Sequence, residues 1–481
     1  MRRGGSRAGV AFVAAAWLAG CTAGPDYVRP SVEMPATWKL EAPWRAAAPD
    51  DAAPKGAWWR RFGDARLDAL QEQALERSPT LAIAAARLEQ ARAVVRANAA
   101  SLLPSASLGV RDVRARISPN RPLSNYASPN FATVQNDFLP ALSVSYEIDL
   151  AGRIRRGVEG AQASAEQSAA DLENARLLLA ADLATAYFNL RATDIELDVL
   201  ARSIALQRRS LDFVGTRHDL GAASGLDVAQ QQALLDTTLT QVDVLKRQRS
   251  GYEHAIATLV GTPAPSFSLA ADTSELEPPA VPLGVPSDVL QRRPDVASAE
   301  RAMAAANAQI GVARAAYYPS IVLSPAIGFE SRSLSTLFEA PSILWSLGAQ
   351  LMQPLFNAGR LDANVAFASA GYEATVGNYR RVVLTAMQEV EDGITGLADL
   401  GHANAQARTA VATARHVLDL ANARYEGGAT TYLDVITAQQ SLLSAERLSA
   451  QLGGQRLLVA VFLVKALGGG WQAPGGAIAT R

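Results

Sequence analysis

The stretch "RHDLGAASGLDVAQQQ" (Arg217–Gln232) returns later in the chain as "RYEGGATTYLDVITAQQ" (Arg424–Gln440). Arg217 matches Arg424, Gly221 matches Gly428, and Leu226-Asp227-Val228 matches Leu433-Asp434-Val435, each pair 207 positions apart. Both copies carry a glycine that can take the positive φ ending a helix. In both, a hydroxyl residue (Ser224, Thr431) stands three positions before an aspartate, the spacing of a capping box that starts the next helix. Arg217 and Arg424 fall where a cation complements the C-terminal helix dipole. The phrase therefore reads as the tip of a helical hairpin, written twice.

The echo extends outward. "AGR" at Ala151–Arg153 recurs at Ala358–Arg360 with the same spacing. Further upstream, "SPTLAIAAARLEQARAVVRANAASLLPS" (Ser78–Ser105) resembles "RPDVASAERAMAAANAQIGVARAAYYPS" (Arg293–Ser320), 215 positions later. The chain is an internal duplication with one change of length between Pro104 and Arg153. A first repeat over 76–275 and a second over 290–470 are joined by a proline-rich linker at 276–289, and 471–481 form a tail.

Between the Ala-rich segments and "AGR" the period is two. In "FLPALSVSYEIDL" (Phe138–Leu150), Phe138, Leu142, Val144, Tyr146 and Ile148 alternate with Ser143, Ser145, Glu147 and Asp149. Similar alternation marks ~105–113, ~321–330 and ~345–353, the last with Ser346 and Gln350 opposite Trp345 and Leu347. About ten residues of alternation suit a transmembrane β-strand. After "AGR" the period becomes seven: Leu183, Leu190, Leu197, Ile204 and Leu211 form one row, with Ala186, Leu200 and Val214 in a second that Thr193 and Gln207 interrupt. A proline-free run from Arg153 to Gly221 predicts a rod of about 90 Å. A second run, from Leu361 to Arg424, has Val383, Val390 and Leu397 in one row. Helices this long and charged belong to coiled coils.

With 481 residues and a net charge of −1, no basic field for nucleic acid exists. The N-terminus has Arg2, Arg3 and Arg7, then an apolar run, then "LAGC" ending at Cys21, the only cysteine. This is the layout of an export signal over 1–20. Cys21 also matches the bacterial lipoprotein cleavage box, making 21–75 a lipid-anchored N-terminal segment; the alternative is an ordinary signal with an incidental cysteine.

Four strands cannot close a barrel, and open edges inside lipid leave unpaired backbone groups. Several chains must share one barrel, and three give twelve strands with a lumen. The apolar faces then meet lipid, while Ser143, Ser145, Glu147, Asp149, Ser346 and Gln350 line water. The loop from Arg114 to Asp137, polar and proline-rich, suits an external position.

A lipobox, duplicated strand–hairpin–helix plan, "AGR", the tip pattern of Tyr425, Gly428 and Leu433–Val435, and the ending "ALGGGW" (Ala466–Trp471) together resemble the outer membrane factor (TolC-like) family, here of the lipoprotein type. The resemblance implies an α+β fold built as a trimeric β/α-barrel, with the barrel in the outer membrane and a helical tunnel through the periplasm. It implies a homotrimer anchored to outer membrane lipid, partnered by a periplasmic membrane-fusion adaptor and an inner-membrane pump of the resistance-nodulation-division type. It places the docking tips at Arg217, Gly221, Ala222, Arg424, Gly428 and Ala429, and a periplasmic gate at Tyr425, Leu433 and Asp434. Some members of the family carry an acidic gate residue one turn later, where this chain has Thr437. Asp227 and Asp434 also have the simpler reading of helix caps.

No catalytic constellation is visible, and the chain is expected to be no enzyme and to need no cofactor. His218, His254, His402 and His416 fall on predicted helices without the pairing of a metal site, and "GGG" at 468–470 lacks the Lys-Ser/Thr of a phosphate loop. A lipid-anchored coiled-coil scaffold without a pore, or the outer membrane duct of a type I protein secretion system, are the alternatives.

Overall fold

The computed structural model describes residues 22–30, 56–118, 120, 133–275, 277–279 and 292–469. The signal segment, Cys21, most of the loop between the first two strands, most of the linker and the tail lie outside these. The elements in order are α1 (Ala65–Arg77), α2 (Pro79–Ala100), β1 (Ser105–Ile117), β2 (Thr133–Ile148), α3 (Arg153–Asp219), α4 (Gly225–Leu259), α5 (Pro294–Ala315), β3 (Ser320–Phe329), β4 (Ile343–Met352), α6 (Arg360–Glu426) and α7 (Tyr432–Ala466).

The duplication is visible in the element lengths. α2 and α5 have 22 residues each, α3 and α6 have 67, and α4 and α7 have 35. Each of the longest helices is about 100 Å from end to end. Turn glycines repeat with them: Gly221 and Gly428 have φ of 73° and 70°, Gly261 and Gly468 have φ of 71° and 84°. The latter pair also needs the absence of a side chain. A Cβ on Gly261 would lie 2.6 Å from the Arg77 carbonyl oxygen, and one on Gly468 would lie 2.8 Å from that of Arg292. Arg77 and Arg292 are themselves matched positions.

The chain forms two compact units, one of Met1–Pro30, Leu88–Ser168 and Ala299–Tyr379, the other of Ser31–Arg87, Ala169–Ser298 and Arg380–Arg481. Each takes segments from both repeats, so repeat and compact unit are different divisions of the chain.

The first unit holds a single antiparallel sheet in the order β1-β2-β3-β4. Beside it, Thr22–Pro30 is tied down by Arg156. That guanidinium, with a side chain 5% exposed, donates to the Ala23 carbonyl at 3.3 Å and pairs with Asp26 at 2.7 Å. Such a buried cation needs these acceptors, because its desolvation is otherwise uncompensated.

In the core of the second unit, Trp58, Trp59, Phe62, Leu67 and Leu70 pack on Leu183, Tyr187, Phe188 and Leu190 of α3 and Val461 and Val464 of α7. The segment 21–75 is thus more than a tether, since its last part supplies core aromatics and α1. Arg191, 3% exposed, pairs with Asp64 at 2.7 Å, and Asp64 accepts from the Tyr187 hydroxyl at 2.6 Å. Burial and that carboxylate push the Tyr187 hydroxyl well above its usual range.

Candidate functional site

In the sheet, antiparallel partners share a face, so the register sorts the side chains. One row runs Leu108, Leu142, Ile327, Trp345; the next runs Ser107, Ser143, Ala326, Ser346. Two steps from Ser143 along the same face stands Ser145, opposite Ser105, and then Glu147, aligned through Val322 with Gln350. The structure therefore brings Ser143, Ser145, Glu147, Ser346 and Gln350 together on one face. The other face is apolar and open, with Leu108, Trp345 and Leu347 all at least 73% exposed.

Asp149 does not join them. β2 ends at Ile148, and the Asp149 carboxylate accepts from the backbone N–H of Ile154 at 3.1 Å and of Arg155 at 2.9 Å. It caps the first turn of α3, whose N–H groups have no intrahelical partner. The alternation of residue types continues to Leu150, but the backbone has already turned. Glu147 is also neutralised locally, by Arg153 at 2.7 Å.

At the hairpin tips both repeats close α3 and α6 in the same way. Ala222 N–H donates to the Arg217 carbonyl at 2.7 Å and Gly221 N–H to His218 at 2.8 Å; Ala429 N–H donates to Arg424 at 2.8 Å and Gly428 N–H to Tyr425 at 3.1 Å. This six-to-one and five-to-two pattern places glycine in the left-handed position. Gly221, Ala222, Arg424, Gly428 and Ala429 are exposed, and added Cβ atoms on the two glycines would meet nothing within 4 Å. The next helices start differently. Ser224 and Asp227 form the complete capping box, with both hydrogen bonds present. Thr431 makes no side-chain cap bond; instead the Thr430 hydroxyl donates to the Asp434 carboxylate. The second capping box is therefore absent, because the neighbouring threonine takes its carboxylate.

The three gate candidates do not share a surface. Tyr425 is buried, with the Arg217 guanidinium 5.0 Å from its ring centroid, the Tyr432 ring at 5.0 Å and Phe213 at 6.4 Å. Leu433 and Asp434 are exposed. Beneath this aromatic cluster lies a polar network. The Tyr432 hydroxyl donates to Gln231 Oε1 at 2.9 Å, Gln231 Nε2 donates to the Gln207 carbonyl at 3.1 Å, and Gln439 Nε2 donates to Ser210 Oγ at 2.8 Å. Burial pushes the Tyr432 hydroxyl up to about 12. The signals for it were Gln207 breaking a heptad row and the glutamines that close both copies of the repeated phrase.

Among the described residues no helix is long and apolar enough to cross a membrane, and no cluster of His, Cys, Asp and Glu could hold a metal ion.

A family model described as outer membrane efflux protein matches residues 70–262 and 285–469. The chain is 34% identical over 464 residues to the probable efflux pump outer membrane protein SepC of Pseudomonas putida, covering 95% of each. It is 33% identical to the pyoverdine export outer membrane protein OpmQ of Pseudomonas aeruginosa, again over 95% of each. Among solved structures, the outer-membrane channel OprN aligns with a TM-score of 0.85 at 29% identity, over 94% of this chain and 100% of that one. The open-state MtrE outer membrane channel of Neisseria gonorrhoeae aligns with a TM-score of 0.81 at 28% identity, over 93% and 98%. By its matched residues, its full-length relatives and its fold, the chain belongs to the outer membrane efflux protein family.

Proposed function

We propose that three copies of this outer membrane efflux protein close one barrel and form the exit duct of a tripartite system. A periplasmic adaptor meets the hairpin tips, and an inner-membrane pump of the resistance-nodulation-division type drives transport. The observation that carries this reading is the register of the sheet, which gives one continuous apolar face, one polar face, and two outer edges at β1 and β4. In lipid those edges need partners, and β4 of one copy against β1 of the next supplies them. Three such sheets make twelve strands. From Phe138 to Ile148 the apolar face of β2 extends about 34 Å along the strand, or about 26 Å at a tilt of about 40°, close to the apolar band of such barrels.

In this arrangement Ser143, Ser145, Glu147, Ser346 and Gln350 line the lumen, and an acylated Cys21 holds the N-terminus at the membrane. The cargo is small molecules: relatives are named for efflux of toluene and export of pyoverdine. Purified protein tested in planar lipid bilayers should behave as a trimer and conduct ions. A monomer without conductance would favour a pore-free scaffold and overturn the reading.

A further inference from the structure

β1 carries three arginines inside or just above the proposed membrane band, and they fall on different faces. Arg111 shares the polar face, where it pairs with Asp137 at 2.6 Å. Arg114 and Arg116 lie on the opposite face, opposite Asn136 and Val134. That is the face of Leu108, Val110, Phe138 and Leu142, and both arginines are exposed. Neither has an ion pair among the described residues. Asp112, opposite Phe138, is one row below Arg114 on that face, so two cations stand against one acid.

We propose that Arg114 and Arg116 form a binding site for phosphate-bearing lipid headgroups of the outer leaflet. The inference rests on the barrel reading above. The end of β1 that carries them is the end away from α2 and α3, since α2 precedes Ser105 and α3 follows Ile148. With the helices on the periplasmic side, this end emerges at the outer surface. Two residues apart on one face, Arg114 and Arg116 have Cα atoms about 7 Å from each other along the strand, directly above the last apolar rows. At this depth a planar guanidinium meets lipid phosphate, to which it can give two parallel hydrogen bonds.

The duplication supplies a control. The matched positions in the second repeat are Phe329, the last residue of β3, and Ser331 just beyond it, so the basic pair is absent from the other copy. The pair is therefore particular to this strand and is not dictated by the fold. Lipid contact at the β1 edge also protects the seam between copies, because a bound glycolipid covers the strand where one chain meets the next.

The test uses the full chain reconstituted in nanodiscs of zwitterionic lipid, titrated with bisphosphorylated lipid A or with its dephosphorylated form, and read by native mass spectrometry. Wild type should retain the phosphorylated lipid in preference to the other. The Arg114→Gln, Arg116→Gln double variant should bind it about thirtyfold more weakly, the equivalent of about 1 kcal/mol for each cation near a charged lipid surface. Arg111→Gln, on the opposite face, should keep wild-type affinity. Equal binding by the double variant, or no preference for phosphate in wild type, would overturn the site. Loss of trimers by the double variant in zwitterionic lipid alone would overturn it as well, by assigning the arginines to contact between copies. Failure of the wild-type chain to enter the nanodiscs as a trimer would instead remove the barrel reading, and this inference with it.

Discussion

The Arg217 guanidinium carbon lies 5.0 Å from the centroid of the Tyr425 ring and 5.8 Å from that of Phe213, joining the first hairpin tip to the second. A planar cation between two rings gains from both their faces, and partial burial strengthens the effect. Arg217→Met and Tyr425→Leu, alone and together, should show a coupling energy of about 0.5–2 kcal/mol in a double-mutant cycle on unfolding. Arg217→Lys should restore only part of it, because an ammonium keeps the cation–π attraction but cannot stack its plane on the ring.

Tyr432→Phe should destabilise the tip by about 1–3 kcal/mol, since it leaves Gln231 Oε1 buried without its donor. The same hydroxyl predicts a response to alkali. Its folded value is raised to about 12 from an ordinary 10.0, mainly by burial. A proton held more tightly in the folded state stabilises fully below pH 10, and that contribution is lost as pH rises from 10 towards 12. The unfolding temperature should fall over this window in wild type, and Tyr432→Phe should remove that part of the fall.

Orientation of the sheet can be read by charge. Leu142→Arg puts a cation on the apolar face and should cost about 2–4 kcal/mol near the bilayer midplane, seen as lost trimer in membranes. Ser143→Arg, on the other face, should assemble and change single-channel conductance. The opposite pattern would invert the two faces.

Gly468→Ala should destabilise by about 1–3 kcal/mol, combining a positive φ of 84° with a Cβ placed 2.8 Å from the Arg292 carbonyl oxygen. Gly453, inside α7 with nothing within 4 Å of an added Cβ, should behave oppositely, and its alanine variant should gain up to about 1 kcal/mol. Thermal unfolding of the two variants side by side separates the roles.

Bulk at the tips tests docking. Ala222→Trp or Ala429→Trp leaves the helix ends intact and should give normal trimer abundance with reduced efflux, restored by changes in the adaptor tip. Full efflux from both would place the contact elsewhere. At the other end of the chain, Cys21→Ser should abolish incorporation of labelled palmitate.

Period and spacing made the architecture legible. Alternation located the four strands, the seven-residue rows located α3, and the two copies of one phrase located the tips. Leu183, Leu190 and Ile204 are buried as their rows require, and Leu197 and Leu211 are half-buried. What escaped was decided by single hydrogen bonds. Asp149 continues the alternation of its strand but is taken by the N–H groups of α3, and Asp434 has capping-box spacing but is taken by Thr430. Which residues would cover the Tyr425 ring was likewise not legible: Arg217 and Tyr432 reach it from other helices, by ring contacts and not by hydrogen bonds. No local pattern announces which of several neighbours captures a side chain. The aromatic core at Trp58, Trp59 and Phe62 was hidden for a related reason: it lies outside both repeats and has no period.

The pairing of β2 with β3 joins the last strand of one repeat to the first strand of the other inside a single chain, and this makes it a template for the junction between chains. β4 is the counterpart of β2, and β1 is the counterpart of β3. Carrying the alignment of Ser143 with Ala326 through the two repeat spacings sets Gln350 of one copy opposite Arg111 of the next, and that of Leu142 with Ile327 sets Ala349 opposite Asp112. In the proposed trimer the wall would then have approximate sixfold symmetry, three seams lying within a chain and three between chains. The two halves differ at this rim: β1 carries Arg114 and Arg116, where the second repeat has Phe329 at the end of β3 and Ser331 beyond it.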